Sequence, residues 1–291
     1  MAFRVNRRPI GEGTLLPETM PEDAFDHFTR VLAPGYEVIT SGRGHERSWR
    51  VGAVETDKAE HFVTGKLGWH RRDPDILPSW SEELKDWPTT VAHSPETLMP
   101  FALDGETRVL GVVDDKRSAP ATLAAVFEKI LNENERELHK RTTEWSVEPV
   151  LDAREFIDWL NGLDVVESVG FTARLPNPEP KDAFAELTDR MEQAHGTEYT
   201  ARMKSKREEG LQHVEDDPEF RQAIAMGEQG FARLDGRGRR DGRESRYNQN
   251  NAVASENIPK LPESWEDIRA MLKNIVRERF RRFLLDNDEP A

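Results

Sequence analysis

The stretch MPFALDGETRVLGVVDD, Met99–Asp115, decides the fold class. Two runs of β-forming residues flank Asp104-Gly105, a dipeptide suited to a tight hairpin turn, so the stretch reads as two antiparallel strands. Immediately downstream, APATLAAVFEKILN, Ala119–Asn132, places Leu123, Val126, Phe127, Ile130 and Leu131 on one face of a helix. Trp145–Leu151 reads as a strand. Asp152 is placed to N-cap a helix over Ala153–Asn161, with Glu155 in the capping-box position and Gly162 as its stop. VVESVGFTARL, Val165–Leu175, reads as another strand, ended by Pro176-Asn177-Pro178. The order β-β-α-β-α-β predicts an α+β sheet with both helices on one face.

Upstream, Pro21–Leu32 reads as a helix that faces inward through Phe25, Phe28, Val31 and Leu32. Tyr36–Trp69 alternates like a set of strands turned at Gly42 and Gly44, which predicts an N-terminal antiparallel sheet. Asp73–Pro95 carries four prolines with Trp80 and Trp87 and reads as an ordered loop or short helix. Downstream, Lys181–Gly210 reads as a long charged helix whose narrow stripe of Phe184, Leu187, Met191, Tyr199 and Met203 suits a neighbour or a second subunit. A helix follows from Asp216-Asp217-Pro218 to Gly230. Phe231–Tyr247 reads as two short strands about a glycine- and arginine-rich turn, and Ser264–Leu285 as a terminal helix capped by Ser264. The chain therefore divides into a β-rich region over 1–95, a central α+β domain over 96–180, and a helical region with an Arg-rich hairpin over 181–291.

Composition removes whole classes of function. The 291 residues contain no cysteine, which excludes disulfides, thiolate zinc sites, iron–sulfur clusters and a cysteine nucleophile. No run approaches the ~18 consecutive apolar residues of a membrane span, and the opening segment lacks a signal-peptide core, so a cytoplasmic address is expected. The net charge is −14. Phe231–Ala291 holds 13 basic and 11 acidic residues, leaving 28 against 44 in the preceding body. Such a body repels polyanions over about 8–10 Å at physiological salt, so any nucleic-acid contact must be made by a local basic surface.

The hairpin is the sharpest such surface. Arg233, Arg237, Arg239, Arg240, Arg243 and Arg246 stand against Asp235, Asp241 and Glu244. Guanidinium forks match phosphates, and Gly236, Gly238 and Gly242 let backbone approach a ligand. The same residues also suit a solvated hairpin whose charges pair across strands or with the acidic body. In the terminal helix, Arg277, Arg281 and Arg282 extend the basic surface if helix and hairpin share a side; late basic residues also complement the helix dipole.

No catalytic constellation emerges. His45 beside Glu46 in the SGRGHER loop lacks a nucleophile or a phosphate cradle, and the eight histidines never take the i, i+4 spacing of a zinc pair. Asp114-Asp115 with Asp104 could bind Mg²⁺, although acidic pairs also end strands before turns. Trp49, Trp69, Trp80 and Trp87 read as core beneath a loop, and Trp145 and Trp159 as core of the middle sheet.

The series PFALD through RVLGVVDD, ATLAAVFEKILN, EWSVEPV, AREFIDWL and VVESVGFTARLPNP, followed by the charged helix, resembles a diffuse group of prokaryotic proteins from mobile and antiviral-defence gene sets. Proteins like the DNA-binding component of the Kiwa system are among them. The resemblance spans roughly Pro100–Tyr247 and rests on pattern and on the Leu-Pro-Asn-Pro step at Leu175–Pro178. The group shares no active site, so no residue inherits a role. The resemblance implies a non-enzymatic or DNA-associated part in defence against phage.

Three functions are thus expected in order. The first is an interaction protein without cofactor, metal or catalytic residues that grips nucleic-acid backbone through the nine arginines named above. The second is an assembly protein that forms oligomer or partner contacts through Lys181–Gly210 and the terminal helix, and the third a metal-dependent nuclease built on Asp104, Asp114 or Asp115.

Overall fold

A computed structural model describes residues 1–9, 23–42, 45–71, 75–78, 89–92, 97–113, 118–139, 143–176, 184–249 and 253–285. In chain order its strands are β1 (Ala2–Pro9), β2 (Val38–Gly42), β3 (His45–Asp57), β4 (Phe62–Arg71), β5 (Asp75–Pro78), β6 (Thr89–Ala92), β7 (Thr97–Asp104), β8 (Val109–Val112), β9 (Thr143–Pro149), β10 (Val165–Arg174), β11 (Glu198–Lys204), β12 (Ala232–Arg240) and β13 (Arg243–Asn248). The helices are α1 (Ala24–Leu32), α2 (Pro120–His139), α3 (Ala153–Asn161), α4 (Ala185–Gln193), α5 (Pro218–Glu228) and α6 (Trp265–Leu285). None of the described helices is long and apolar enough to cross a membrane.

The α+β class is as read, but the strands sort differently from the expected N-terminal and central sheets. One antiparallel sheet runs β2-β3-β4-β7-β8-β1-β9, a second runs β11-β10-β12-β13, and β5 pairs with β6. The hairpin around Asp104 and the strand β9 therefore complete the N-terminal sheet, while β10 leaves it to found another. The reason lies in β1. Its Phe3 and Val5 alternate with Arg4 and Asn6, and both of its edges are used, by β8 and by β9. An arginine-rich opening concealed that central strand.

α1 and α2 cover one face of the large sheet, where Phe25, Phe28 and Leu32 meet Trp49, Phe101 and Trp145, together with Phe127 and Ile130. Each fully buried side chain of this size contributes about 1.5–3 kcal/mol. The local signals that formed α1 are an Asp23 cap on the Phe25 amide and an apolar stripe. α6 covers the opposite face through Leu272 and Val276, against Ala2, Phe62, Ala102 and Val109. Ser264 caps that helix as expected, accepting from the Asp267 amide at 3.0 Å. Trp49 and Trp69 lie in the core beneath α1 and α2, with ring centroids 5.8 Å apart. Trp80 and Trp87 lie outside the described residues.

The small sheet packs α3, α4 and α5 on one face. Val169, Phe171, Leu234 and Tyr247 point inward against Phe156, Leu187, Met191, Phe220 and Met226. Asp152 and Asp217 cap α3 and α5, accepting from Glu155 at 3.4 Å and from Glu219 at 3.0 Å. Trp159 packs here, 5.4 Å from Tyr247, and not in a middle sheet.

The long helix expected over Lys181–Gly210 does not form. α4 ends at Gln193, His195 adopts a left-handed φ of 51°, and the chain returns as β11. Tyr199 and Met203 are four apart and suited a helical stripe, yet Ala201 lies between them on the same face, which is the two-residue period of a strand. The helix expected to dock a partner is thus half helix and half sheet edge.

The two sheets meet along a seam. The Leu151 amide donates to the Gly227 carbonyl at 3.0 Å, and Arg4 Nε donates to the Gln229 carbonyl at 2.7 Å. The edge strand β9 is closed by α2. Asn132 accepts from the Trp145 amide and donates to its carbonyl at 2.9 and 2.8 Å, and Glu128 accepts from the Val147 amide at 3.1 Å. These side chains stand in for a missing neighbour strand.

Candidate nucleic-acid interface

The small sheet carries its helices on one face, and among the described residues its other face lines a groove. Alternation along β12 turns Ala232, Leu234 and Gly236 inward and Arg233, Asp235, Arg237 and Arg239 outward. Register then builds three rows across the strands. Thr200, Thr172 and Arg233 form the first; Arg202, Gly170, Asp235 and Asn248 the second; Lys204, Ser168, Arg237 and Arg246 the third. The β10 positions are small, so this strand is a floor. β11 and β12 flank it about 10 Å apart, twice the interstrand spacing.

The result is an open groove of about 830 Å³. Arg202, Lys204, Lys206, Arg233, Arg237 and Arg246 line it, against the carboxylates of Glu167 and Asp235. On a chain of net charge −14 this is a concentrated basic surface. Among the described residues, no aromatic side chain belongs to the three rows.

The hairpin forms as expected. Asp241 and Gly242 at its tip have φ of 50° and 71°, the double left-handed turn that matches strand twist. Its arginines divide by role. Arg237 lies 3.0 Å from Glu167 and 3.3 Å from Glu244, Arg239 lies 2.7 Å from Glu167, and Arg246 lies 2.5 Å from Glu244. Arg237 and Arg246 are directly opposite, a repulsive juxtaposition that Glu244 relieves by pairing with both. The hydrogen bond from Arg246, with the charge of Arg237 beside it, holds the Glu244 carboxyl below the usual carboxylate range.

Arg233 reaches the seam, 2.5 Å from Glu148, which also pairs with Arg174. Glu148 is only 5% exposed, so it anchors both arginines. Burial opposes the charge on Arg174, but Glu148 and Glu198 outweigh it and raise its pKa. Arg240 serves the fold, donating to the Gly162 carbonyl at 2.7 Å. Arg243 is exposed beside the hairpin turn.

The terminal helix does not join this surface. α6 rests on the large sheet, where Lys273 lies 2.6 Å from Asp57 and 2.8 Å from Glu60, and Arg277 lies 3.7 Å from Glu60 and over the Phe62 ring. Arg281 and Arg282 fall in its last turns, and their side chains lie outside the described residues. What sequence reasoning missed is the opposite bank. Arg202, Lys204 and Lys206 come from β11 and the turn after it, inside the segment read as a helix. The alternation of Tyr199, Ala201 and Met203 was the signal that could have found them.

The remaining candidates stay dispersed. Asp104 accepts from the amides of Glu106 and Thr107 at 2.9 and 3.4 Å, so its carboxylate shapes its own turn. Asp114 and Asp115, like Arg43, lie outside the described residues, as does the side chain of His45. His213, Glu215 and Asp216 converge on the surface, but Asp216 is taken by Arg221 at 2.8 Å. His27 lies 2.8 Å from Glu135 and 3.1 Å from Arg7, all three buried in the large-sheet core.

Residues 50–277 match the family model described as a domain of unknown function, DUF4747, and the chain belongs to that family. No curated protein and no solved structure matches it.

Proposed function

We propose that this member of the DUF4747 family binds nucleic-acid backbone in the groove of its small sheet, without sequence preference and without catalysing a reaction. The observation that carries this reading is the convergence of six basic side chains from β11, β12, β13 and the turn after β11 over a strand whose register positions are Ser168, Gly170 and Thr172. Phosphates reward such a surface by releasing counterions. Of the carboxylate partners, Asp235 and Glu244 are exposed, and exposed ion pairs contribute only about 0–1 kcal/mol, so exchanging these two for phosphate costs little. The floor hydroxyls add donors for phosphate oxygens. Tyr247 borders the groove but turns its ring inward against Phe156 and Trp159, away from any base, which favours backbone contact over reading of splayed bases. The acidic body confines contact to this face.

A place in antiviral defence is proposed on the resemblance alone. The binding reading is tested by fluorescence anisotropy with unrelated duplex and single-stranded probes. Binding to several sequences with similar affinity, lost in Arg202→Gln/Arg237→Gln/Arg246→Gln at unchanged circular dichroism, supports it. Equal binding by wild type and the triple variant overturns it.

A further inference from the structure

Arg202, Gly170 and Asp235 occupy one register row, on β11, β10 and β12 in turn. The ends of that row are joined over the middle. Both Asp235 carboxylate oxygens lie 2.7 Å from Arg202 Nη2. A β-carbon at position 170 would sit 3.1–3.2 Å from the Nη2, Cζ and Nε atoms of Arg202, so the guanidinium lies across the glycine. The bridge thus crosses the groove from bank to bank, between the Lys204–Arg237–Arg246 row and the Thr200–Arg233 row.

Asp235 differs in position from the other carboxylates of this face. Glu148 serves the seam, Glu198 pairs with Arg174 beyond the Thr200–Arg233 row, and Glu167 and Glu244 hold Arg237, Arg239 and Arg246 near the far end of the groove. Asp235 alone sits in the central row, where a chain of phosphates running along β10 must pass. A guanidinium presents the same fork to carboxylate and to phosphate. The two residues are 42% and 43% exposed, so water already competes for their bridge and opening it is cheap.

We propose that Asp235 is an internal stand-in for phosphate. Its carboxylate occupies the central anion position of the groove on Arg202, and a phosphodiester displaces it to bind. Arg202 is then the residue on which the free and bound states differ, and Gly170 is what lets the clasp close. This rests on the backbone-binding reading above and adds the site's own control, a competitor that weakens binding and helps reject single small anions in favour of polyanions.

The test uses the full chain, a labelled DNA duplex of mixed sequence, and a heparin column as a second polyanion. Asp235→Asn keeps the shape of the side chain and removes the charge. Its affinity is expected to rise about two- to five-fold, the range that loss of an exposed ion pair allows, with later elution from heparin. Asp241→Asn removes the same charge from the hairpin tip and is expected to change affinity by less than about 1.5-fold. In an Arg202→Gln background the gain from Asp235→Asn is expected to shrink to that of Asp241→Asn. A wild type that binds while Asp235→Asn matches wild type or Asp241→Asn overturns the clasp and leaves the binding reading standing, as does a gain that persists undiminished without Arg202. Failure of every variant to bind duplex or heparin overturns both.

Discussion

Arg240 donates its Nε hydrogen to the carbonyl of Gly162 at 2.7 Å, closing the C-terminal end of α3 from the hairpin. Its neighbours Arg237 and Arg239 are aimed at carboxylates on the open face, so one short run of arginines splits between fold and surface. A cation at a helix C-terminus contributes about 0.3–1 kcal/mol. Arg240→Ala is therefore expected to lower stability in urea by roughly that amount while leaving nucleic-acid affinity close to wild type. A variant of unchanged stability that loses binding would reverse the assignment.

Tyr247 is buried between Phe156 and Trp159, with ring centroids 5.0 and 5.4 Å away, and its hydroxyl has no hydrogen-bond partner among the described residues. Burial, with the charges of Glu155 and Asp152 adding to it, pushes its pKa well above that of a free phenol. The folded state thus keeps the proton while the unfolded chain releases it above about pH 10, so this residue's stability contribution is lost as pH rises past that point. Tyr247→Phe is expected to stabilise by about 1 kcal/mol at pH 7, by removing an unsatisfied hydroxyl, and to reduce the alkaline loss. Urea unfolding at pH 7 and at about pH 10.5 checks both; parallel pH profiles for the two proteins would contradict the account.

Arg4 links the sheets from a site only 8% exposed. Its guanidinium lies 4.8 Å over the Phe231 ring and donates to the carbonyls of Gln229 and Thr107. Burial, with Arg108 adding like charge, lowers its pKa to about 9. Arg4→Ala leaves those carbonyls unsatisfied beside a void, and a cost on the order of 3 kcal/mol is expected in chemical denaturation. A cost under about 1 kcal/mol would show that the seam does not depend on it.

Asn132 closes the edge of β9 with two hydrogen bonds to Trp145. Asn132→Ala is expected to cost about 1–2 kcal/mol and to make the protein more prone to association at high concentration, because the strand edge is bared. Light scattering and denaturation read the two effects separately; an unchanged scattering mass at unchanged stability would sink this role.

Much of this architecture was legible from local chemistry. Asp152, Asp217 and Ser264 each cap the helix that follows them, and Asp241-Gly242 turns the hairpin, because these signals act within four residues. β1 was not legible, since its arginines are buried by partners as remote as Gln229. The candidate site was half legible. The arginines of β12 and β13 announced themselves by clustering, whereas Arg202 and Lys204 were hidden by a four-residue spacing that suits a helix and a strand equally. Pairing with β10, which only the folded chain supplies, settled it in favour of the strand.

If the small-sheet groove grips phosphates, affinity for a mixed-sequence duplex must fall with salt. Each phosphate contact contributes a slope of about −0.9 on a double-logarithmic plot. A wild-type slope steeper than about −2.5 is expected, flattened by roughly two to three units in Arg202→Gln/Arg237→Gln/Arg246→Gln. A slope near zero, or one that the triple substitution leaves unchanged, would contradict the account.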